Sequence, residues 1–456
     1  MILNLPNDVL ILLLRQLSVP DLNAVCQTCQ FLHALVEEYG WSGYLRLNPR
    51  PSKSLVKHRQ MWSAKAAAIH DFLSDNSWSR AQFVARPLSD SWPAKQQPAI
   101  ALDSERLVVA THNTLYTYSF PQGTSPSISL EGSCNLRNPE DNNNYVTALD
   151  MLPNGSICVA FYDGTCEYIR ILANSTNSTL NIERSPLPSH FRDNKDFVES
   201  LSTSSSRILS LSSKGRVVLT DTTALSTSLE LNARSWTCHM CLESSSPFAA
   251  FGMSSSKPLV VHSISDTELS PQPTAILSLS GSKAPISTLN AVYAITRGPP
   301  CSWGGSPQIT VAGWYNGIVS VHDLRSSSRD NSSGPPHLKP VLTLSNSWSD
   351  DPIYSVACGG GGGNHVAAGA ARHSLVSLWD VRNPNGGFNV HAPLNDRSPV
   401  YALLMESSRL YGATESRPFV LDFGPGVTEA SYPRLSTQPL RNHSSIGFYV
   451  TSYPHR

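Results

Sequence analysis

Charge is scarce in this chain: 15% of its 456 residues are Asp, Glu, Lys or Arg, against about 25% in an average protein. The 34 basic residues equal the 34 acidic ones. No net positive field is available to hold a nucleic-acid backbone, and nonspecific DNA or RNA binding is not indicated. Long apolar runs are missing where a targeting segment would sit. Val9–Leu14 is short, whereas a bilayer span needs about 20 apolar residues. A secretory signal wants positive charge ahead of its apolar core, and Asp8 stands there instead. The expectation is no membrane partner. The nine cysteines are odd in number and scattered, which reads as reduced thiols in the cytoplasm or nucleus. Glycosylation motifs such as Asn174-Ser175-Thr176 then carry no weight.

Catalytic signatures are also missing. No Gly-x-Ser-x-Gly elbow, His-Glu-x-x-His pair or Gly-rich dinucleotide turn occurs, so neither a catalytic centre nor a cofactor is expected. Gly359–Gly363 is not a phosphate loop, because no Gly-Lys-Ser/Thr follows it. Cys238 and Cys241 in CHMC invite a metal reading, but residues three apart on a strand point to opposite faces. Cys26 and Cys29 would share a helix face as core. No metal is expected.

What is present begins with LPNDVLILLLRQL, residues 5–17. Val9, Leu10, Leu13, Leu14 and Leu17 fall on one face of a helix. Pro6 suits its opening, since the first turn has no use for the missing N–H. Pro20 interrupts, and Asp21 is placed to cap a second helix with Leu22, Val25, Cys26 and Cys29 as its apolar positions. Two helices this short cannot bury so many leucines alone.

The order Leu5-Pro6, Asp8, Leu13, Leu17, Asp21-Leu22, then Gln27-Thr28-Cys29-Gln30 and Trp41 resembles an F-box. Thr28 departs from the family, which usually carries an aliphatic residue there. The resemblance covers residues 1–45 and implies docking onto the Skp-type adaptor of cullin-RING ubiquitin ligases. The docking residues it implies are Leu5, Pro6, Val9, Leu10, Leu13, Leu14, Leu17 and Leu22.

From about residue 97 one pattern keeps returning: strand, gap, strand, tight turn, and a third strand with a polar or acidic end. The third strands end at Ser119, Arg170, Asp221, Ser263, Asp323, Asp380 and Asp422. Repeats of roughly 40 to 60 residues, each burying its faces only against its neighbours, mark a β-propeller. Asp163-Gly164 and Asn316-Gly317 are residues that a tight hairpin reversal requires. Trp379-Asp380 and His322-Asp323 make this part similar to a degenerate WD-repeat propeller. It lacks the full set of buried His, Ser/Thr and Asp partners, so apolar packing should carry more of its stability.

The expected fold is a small all-α F-box module (1–45), a helical linker (46–80) containing MWSAKAAAIHDFL, and an all-β WD-repeat-like propeller (81–456) with seven blades. A Ser/Pro-rich insertion spans Ser326–Pro340. In propellers of this type, the turn between second and third strands faces partners. Those turns carry Lys214, Lys257, Tyr315, Arg372 and Arg417, and their basic excess over Asp163 and Glu415 would attract an acidic or phosphorylated segment. Together the two resemblances imply a non-catalytic substrate receptor of a Skp-cullin-F-box ubiquitin ligase. The alternative is a scaffold that binds the adaptor without ubiquitin transfer.

Overall fold

The computed structural model describes residues 5–92, 97–123, 125–137, 144–172, 179–188, 191, 196–221, 226–266, 268–279, 290–301, 305–326, 334–394, 397–436 and 452–454. The motif at Asn174 and residues 327–333 of the Ser/Pro-rich insertion lie outside them.

Six α-helices come first: α1 (Asn7–Leu14), α2 (Val19–Cys26), α3 (Gln30–Leu35), α4 (Trp41–Leu47), α5 (Val56–Met61) and α6 (Ala64–Ser79), with a π turn, Val36–Gly40, joining α3 to α4. Pro6 is the N-cap of α1. The reading of Pro20 and Asp21 needs correction. Ser18 caps α2, accepting from the Asp21 N–H, and Pro20 sits inside the first turn, where its missing N–H would have found no partner anyway. Cys29 lies beyond the end of α2 and is the N-cap of α3.

Leu10, Leu14, Val19, Leu22, Cys26, Leu35, Val36, Trp41 and Tyr44 form one buried cluster, and Ala68 of α6 belongs to it. The linker helix therefore shares the core of the module before it. Its far end is bolted to the β-structure. The Trp78 ring stacks on Phe423 at 3.5 Å, and its Nε1 donates to the Ser407 carbonyl at 2.8 Å. Gly360 lets this happen: its φ is +68°, and a Cβ there would meet the Trp78 ring at 3.0 Å.

The rest is mainly antiparallel sheet, with one short parallel pairing of Ile276 and Leu277 with His337 and Leu338. The third strands stand where the repeat places them, from Thr114–Ser119 to Pro418–Asp422. Gly164 and Gly317 take the left-handed conformation at their hairpin turns. Five sheets contain four or five strands, and a sixth contains ten. The ten-stranded one is two antiparallel runs touching through a short pairing, Ser254 with Ala291 and Ser255 with Asn290. The innermost strands are Ala99–Leu102, Val146–Met151, Val198–Ser204, Ser235–Cys241, Asn290–Arg297, Ile353–Gly359 and Val400–Met405. Each packs beside the next, and the last packs beside the first, closing a circle.

Closure is made by a strand that precedes the repeats: Val84–Pro87 pairs antiparallel with Pro418–Asp422. The last sheet is thus built from both ends of the β-region. At this seam Arg409 and Asp422 form a fully buried ion pair at 2.8 Å. One turn away, the buried Glu406 carboxylate accepts from the Ser54 N–H at 3.1 Å, and from the Lys53 N–H and the Ser54 hydroxyl.

Apolar clusters fill the spaces between sheets, but polar ladders are present too. Trp314 Nε1 donates to the Ser320 hydroxyl at 2.6 Å, and His322 lies 3.0 Å from the same oxygen. Asn389 bridges Ser377 and Asn346 at 2.7 and 3.1 Å. These side chains are buried, so the polar network is fuller than the degenerate repeats suggested.

Two tests follow from the packing. Arg409→Met should cost about 3–5 kcal/mol by leaving a buried carboxylate without its guanidinium, read as a lowered Tm, whereas exchanging an exposed arginine such as Arg372 should change it by less than about 0.5 kcal/mol. Burial holds the imidazoles of His239 and His322 down to about 4 and about 3. Their folded pKa values lie below the unfolded value, so the stability they supply is present above about pH 6.5 and lost as pH falls towards 3 to 4. Unfolding experiments should show a loss of about 1 kcal/mol per pH unit for each histidine, reduced in His239→Gln.

Candidate functional site: two faces at opposite ends

The leucine stripe of the first helix divides. Leu10, Leu14 and Leu22 are buried, Leu22 completely, and Leu17 packs partly against the same core. They hold the module together, and Leu10, Leu14 and Leu22, expected among the docking residues, offer almost no side-chain surface. Positions 9, 10, 13 and 14 span too broad an arc for one interface: the inner half faces α2 and α4, and the outer half faces solvent. Leu5, Pro6, Val9 and Leu13 are exposed, Leu13 to 49%. Leu12 and Phe31, which periodicity did not single out, are exposed with them. These exposed apolar side chains are candidates for an interaction surface.

The second face lies at the other end of the propeller. Lys53 reaches the end of the first innermost strand, donating from Nζ to the Leu102 carbonyl at 2.8 Å. Pro51–Lys53 lines the mouth of the central channel at that end, together with Met405–Ser407. The starts of the innermost strands surround the opposite mouth. Each of them after the first carries a β-bulge at the same place: between Val146 and Ala148, Val198 and Ser200, Ser235 and Thr237, Val292 and Ala294, Ile353 and Ser355, and Val400 and Ala402. A bulge inserts one residue and re-aims its side chain. The inserted residues are Thr147, Glu199, Trp236, Tyr293, Tyr354 and Tyr401, and all line this mouth, a cavity of about 260 Å³.

Four of these six are aromatic, and others extend them. Ring centroids run from Tyr145 to Tyr162 at 4.9 Å and on to Phe197 at 4.8 Å. Arg234 bridges the next gap, 5.9 Å from Phe197 and 4.1 Å from Trp236. Trp236 to Tyr293 is 5.0 Å, Tyr293 to Tyr354 is 5.3 Å, and Tyr354 to Tyr401 is 5.6 Å. Tyr315, 52% exposed, joins at 6.3 Å from Tyr293. The arc went unread in the sequence, although an aromatic residue at the opening of nearly every first strand was there to see.

Of the residues expected on this face, Lys214, Lys257, Tyr315 and Arg372 are exposed and Arg417 is half-buried. Only Tyr315 belongs to the arc. Arg372 faces Asp351 at 3.7 Å, and Arg234 is tied to Glu199 at 2.7 Å. Burial raises the Glu199 pKa, opposed by Arg234, and pushes the Tyr401 phenol up to about 12, helped by neighbouring Glu415. The loop residues Asp196 and Asp351 were not counted in the basic excess. Asp196 accepts from the Lys214 N–H at 3.1 Å.

Cys238 and Cys241 point apart, towards the Ser200 and Leu209 carbonyls and towards the Pro307 carbonyl respectively. Among the described residues, one group has metal-ligand proximity: Cys26, His33 and Glu37. Glu37 is occupied there by Lys65 and Trp41, at 3.1 and 3.3 Å, and burial raises the Cys26 thiol. No described helix is long and apolar enough to cross a membrane.

Comparison with known proteins agrees with the first face. The F-box domain family matches residues 2–39. No curated protein matches the chain. Among solved structures, it is similar to one titled "Crystal structure of WD40 beta propeller domain of Doa1", with 10% identity and a TM-score of 0.49, covering 75% of this chain and 97% of that one. The chain joins an F-box domain to a β-propeller. F-box domains generally bind Skp-type adaptors in cullin-RING ligases.

The two halves of the leucine stripe should separate on mutation. Val9→Ala with Leu13→Ala should leave the melting curve within about 0.5 kcal/mol of wild type and abolish co-purification with the adaptor. Leu14→Ala or Leu22→Ala should cost about 2–5 kcal/mol, lowering Tm before any binding is measured.

Proposed function

We propose that this protein is the substrate-recognition subunit of a Skp-cullin-F-box ubiquitin ligase, working in the cytoplasm or nucleus without a catalytic centre of its own. The observation that carries this reading is the bracing of the linker. Its helix shares the F-box core through Ala68, while Trp78, Ser54 and Lys53 are fastened to one end of the propeller. The aromatic mouth stands at the other end. An adaptor on the exposed Leu5, Val9 and Leu13 and a target at the mouth are then held at a set separation, and positioning alone raises the local concentration of target and ubiquitin donor.

Seven blades are part of the same proposal. The circle of innermost strands has that many members when the ten-stranded sheet is divided at its two-residue joint. A scaffold that holds the adaptor without ubiquitin transfer would use the same faces. Purification of the full-length protein from cells separates the two. A cullin should accompany the adaptor with wild type, and both should vanish with Val9→Asp plus Leu13→Asp, while proteins held by the propeller remain. An adaptor without cullin would leave the scaffold.

A further inference from the structure

We propose that the bulge-built aromatic arc is the substrate dock, and that its occupant is an extended, proline-bearing peptide segment without phosphate. This rests on the receptor reading and names its substrate class. Three observations carry it.

The first is construction. The same β-bulge recurs in six innermost strands and sends Trp236, Tyr293, Tyr354 and Tyr401 to one cavity. Bulges of this kind bend the strand and re-aim one side chain each, and in four of the six strands that side chain is an aromatic ring at the mouth. Rigid rings presented this way offer large contact area with little conformational entropy to lose.

The second is spacing. Successive centroids along the arc lie 4.8 to 5.6 Å apart where rings adjoin directly. A polyproline II segment rises about 3.1 Å per residue, so roughly one ring meets every second residue. Such a segment arrives with its backbone already extended and solvated, and flat aromatic surfaces accept its pyrrolidine faces. The rings also touch one another, with Trp236 and Tyr293 edge-on at 75° and Tyr293 and Tyr354 at 78°.

The third is charge. Arg234 within the arc is held by Glu199, and Arg372 at its edge faces Asp351. Glu199, Asp351 and Glu415 would repel a phosphate, and the two arginines would have to leave their partners to receive it. Lys214 and Lys257 stand on the same face outside the arc, whereas at the arc the charges are paired, which suits an uncharged ligand.

The test uses the full-length protein bound to its adaptor, probed with an array of short neutral proline-rich peptides. A matched array carries phosphoserine for serine, and a third carries alanine for proline. Neutral proline-rich peptides should bind, with little change between low and high salt. Trp236→Ala and Tyr293→Ala should each weaken them by about tenfold or more, while Tyr354→Phe, which keeps its ring, stays near wild type. Unchanged melting curves and adaptor binding keep misfolding out of the result. Preference for the phosphorylated array, equal binding of the alanine array, or insensitivity to Trp236→Ala would each overturn the proposal. Those results would leave the receptor reading standing, because that reading falls only if the adaptor or cullin fails to bind.

Discussion

Everything here depends on closing a circle of sheets. An open row of antiparallel sheets ends in raw strand edges and an uncovered apolar face. This chain removes both by returning Val84–Pro87 to the strand Pro418–Asp422, so residues more than 300 apart share one sheet. The seam is also where buried charge is concentrated. Arg409 and Asp422 are both nearly inaccessible, and Glu406 beside them is fully desolvated, which raises its pKa against the hydrogen bonds from Ser54 and Lys53. A buried ion pair is weak evidence of net stability, since its desolvation offsets much of its attraction. Its geometric demand is strong, however: the seam can form in only one register if these groups are to find partners.

The seam also sets the direction of the module in front of it. The closing strand begins a few residues after α6, so that helix must approach the propeller at the last sheet. It does so with Trp78 against Phe423 and His365 and with Arg50 paired to Asp75 at 2.7 Å across its flank. Stacked aromatic pairs are worth about 0.5–1.5 kcal/mol beyond their buried area. Here they convert a covalent connection into a fixed angle. The F-box leucines and the aromatic mouth end up on opposite sides of the molecule for this reason, and the distance between these two faces becomes a property of the fold.

Much of this was legible along the chain. The third strands were visible because each buries one face or both and ends at a hairpin or a charged residue, and Gly164 and Gly317 marked turns that need a left-handed backbone. Leu-Pro with the spaced leucines identified the F-box. Less visible was the difference between leucines that hold the module and leucines that face solvent. Leu13 and Leu14 have the same chemistry and adjacent positions, and only the packing of α2 and α4 against α1 makes one core and the other surface. The six bulges were hidden for a similar reason: an extra residue in a strand leaves composition and hydropathy unchanged and shows itself only in the pairing register.

The sequence by itself determined the kinds of element, their order and the amino-terminal module, because periodicity, turn residues and Leu-Pro spacing are local and act through neighbouring backbone. Tertiary structure alone decided closure by Val84–Pro87, the burial of Leu10, Leu14 and Leu22, and the gathering of Trp236, Tyr293, Tyr354 and Tyr401 at one mouth. Each of these joins residues far apart in the chain. Their cost in loop entropy and their gain in buried area are settled only when the whole circle is present.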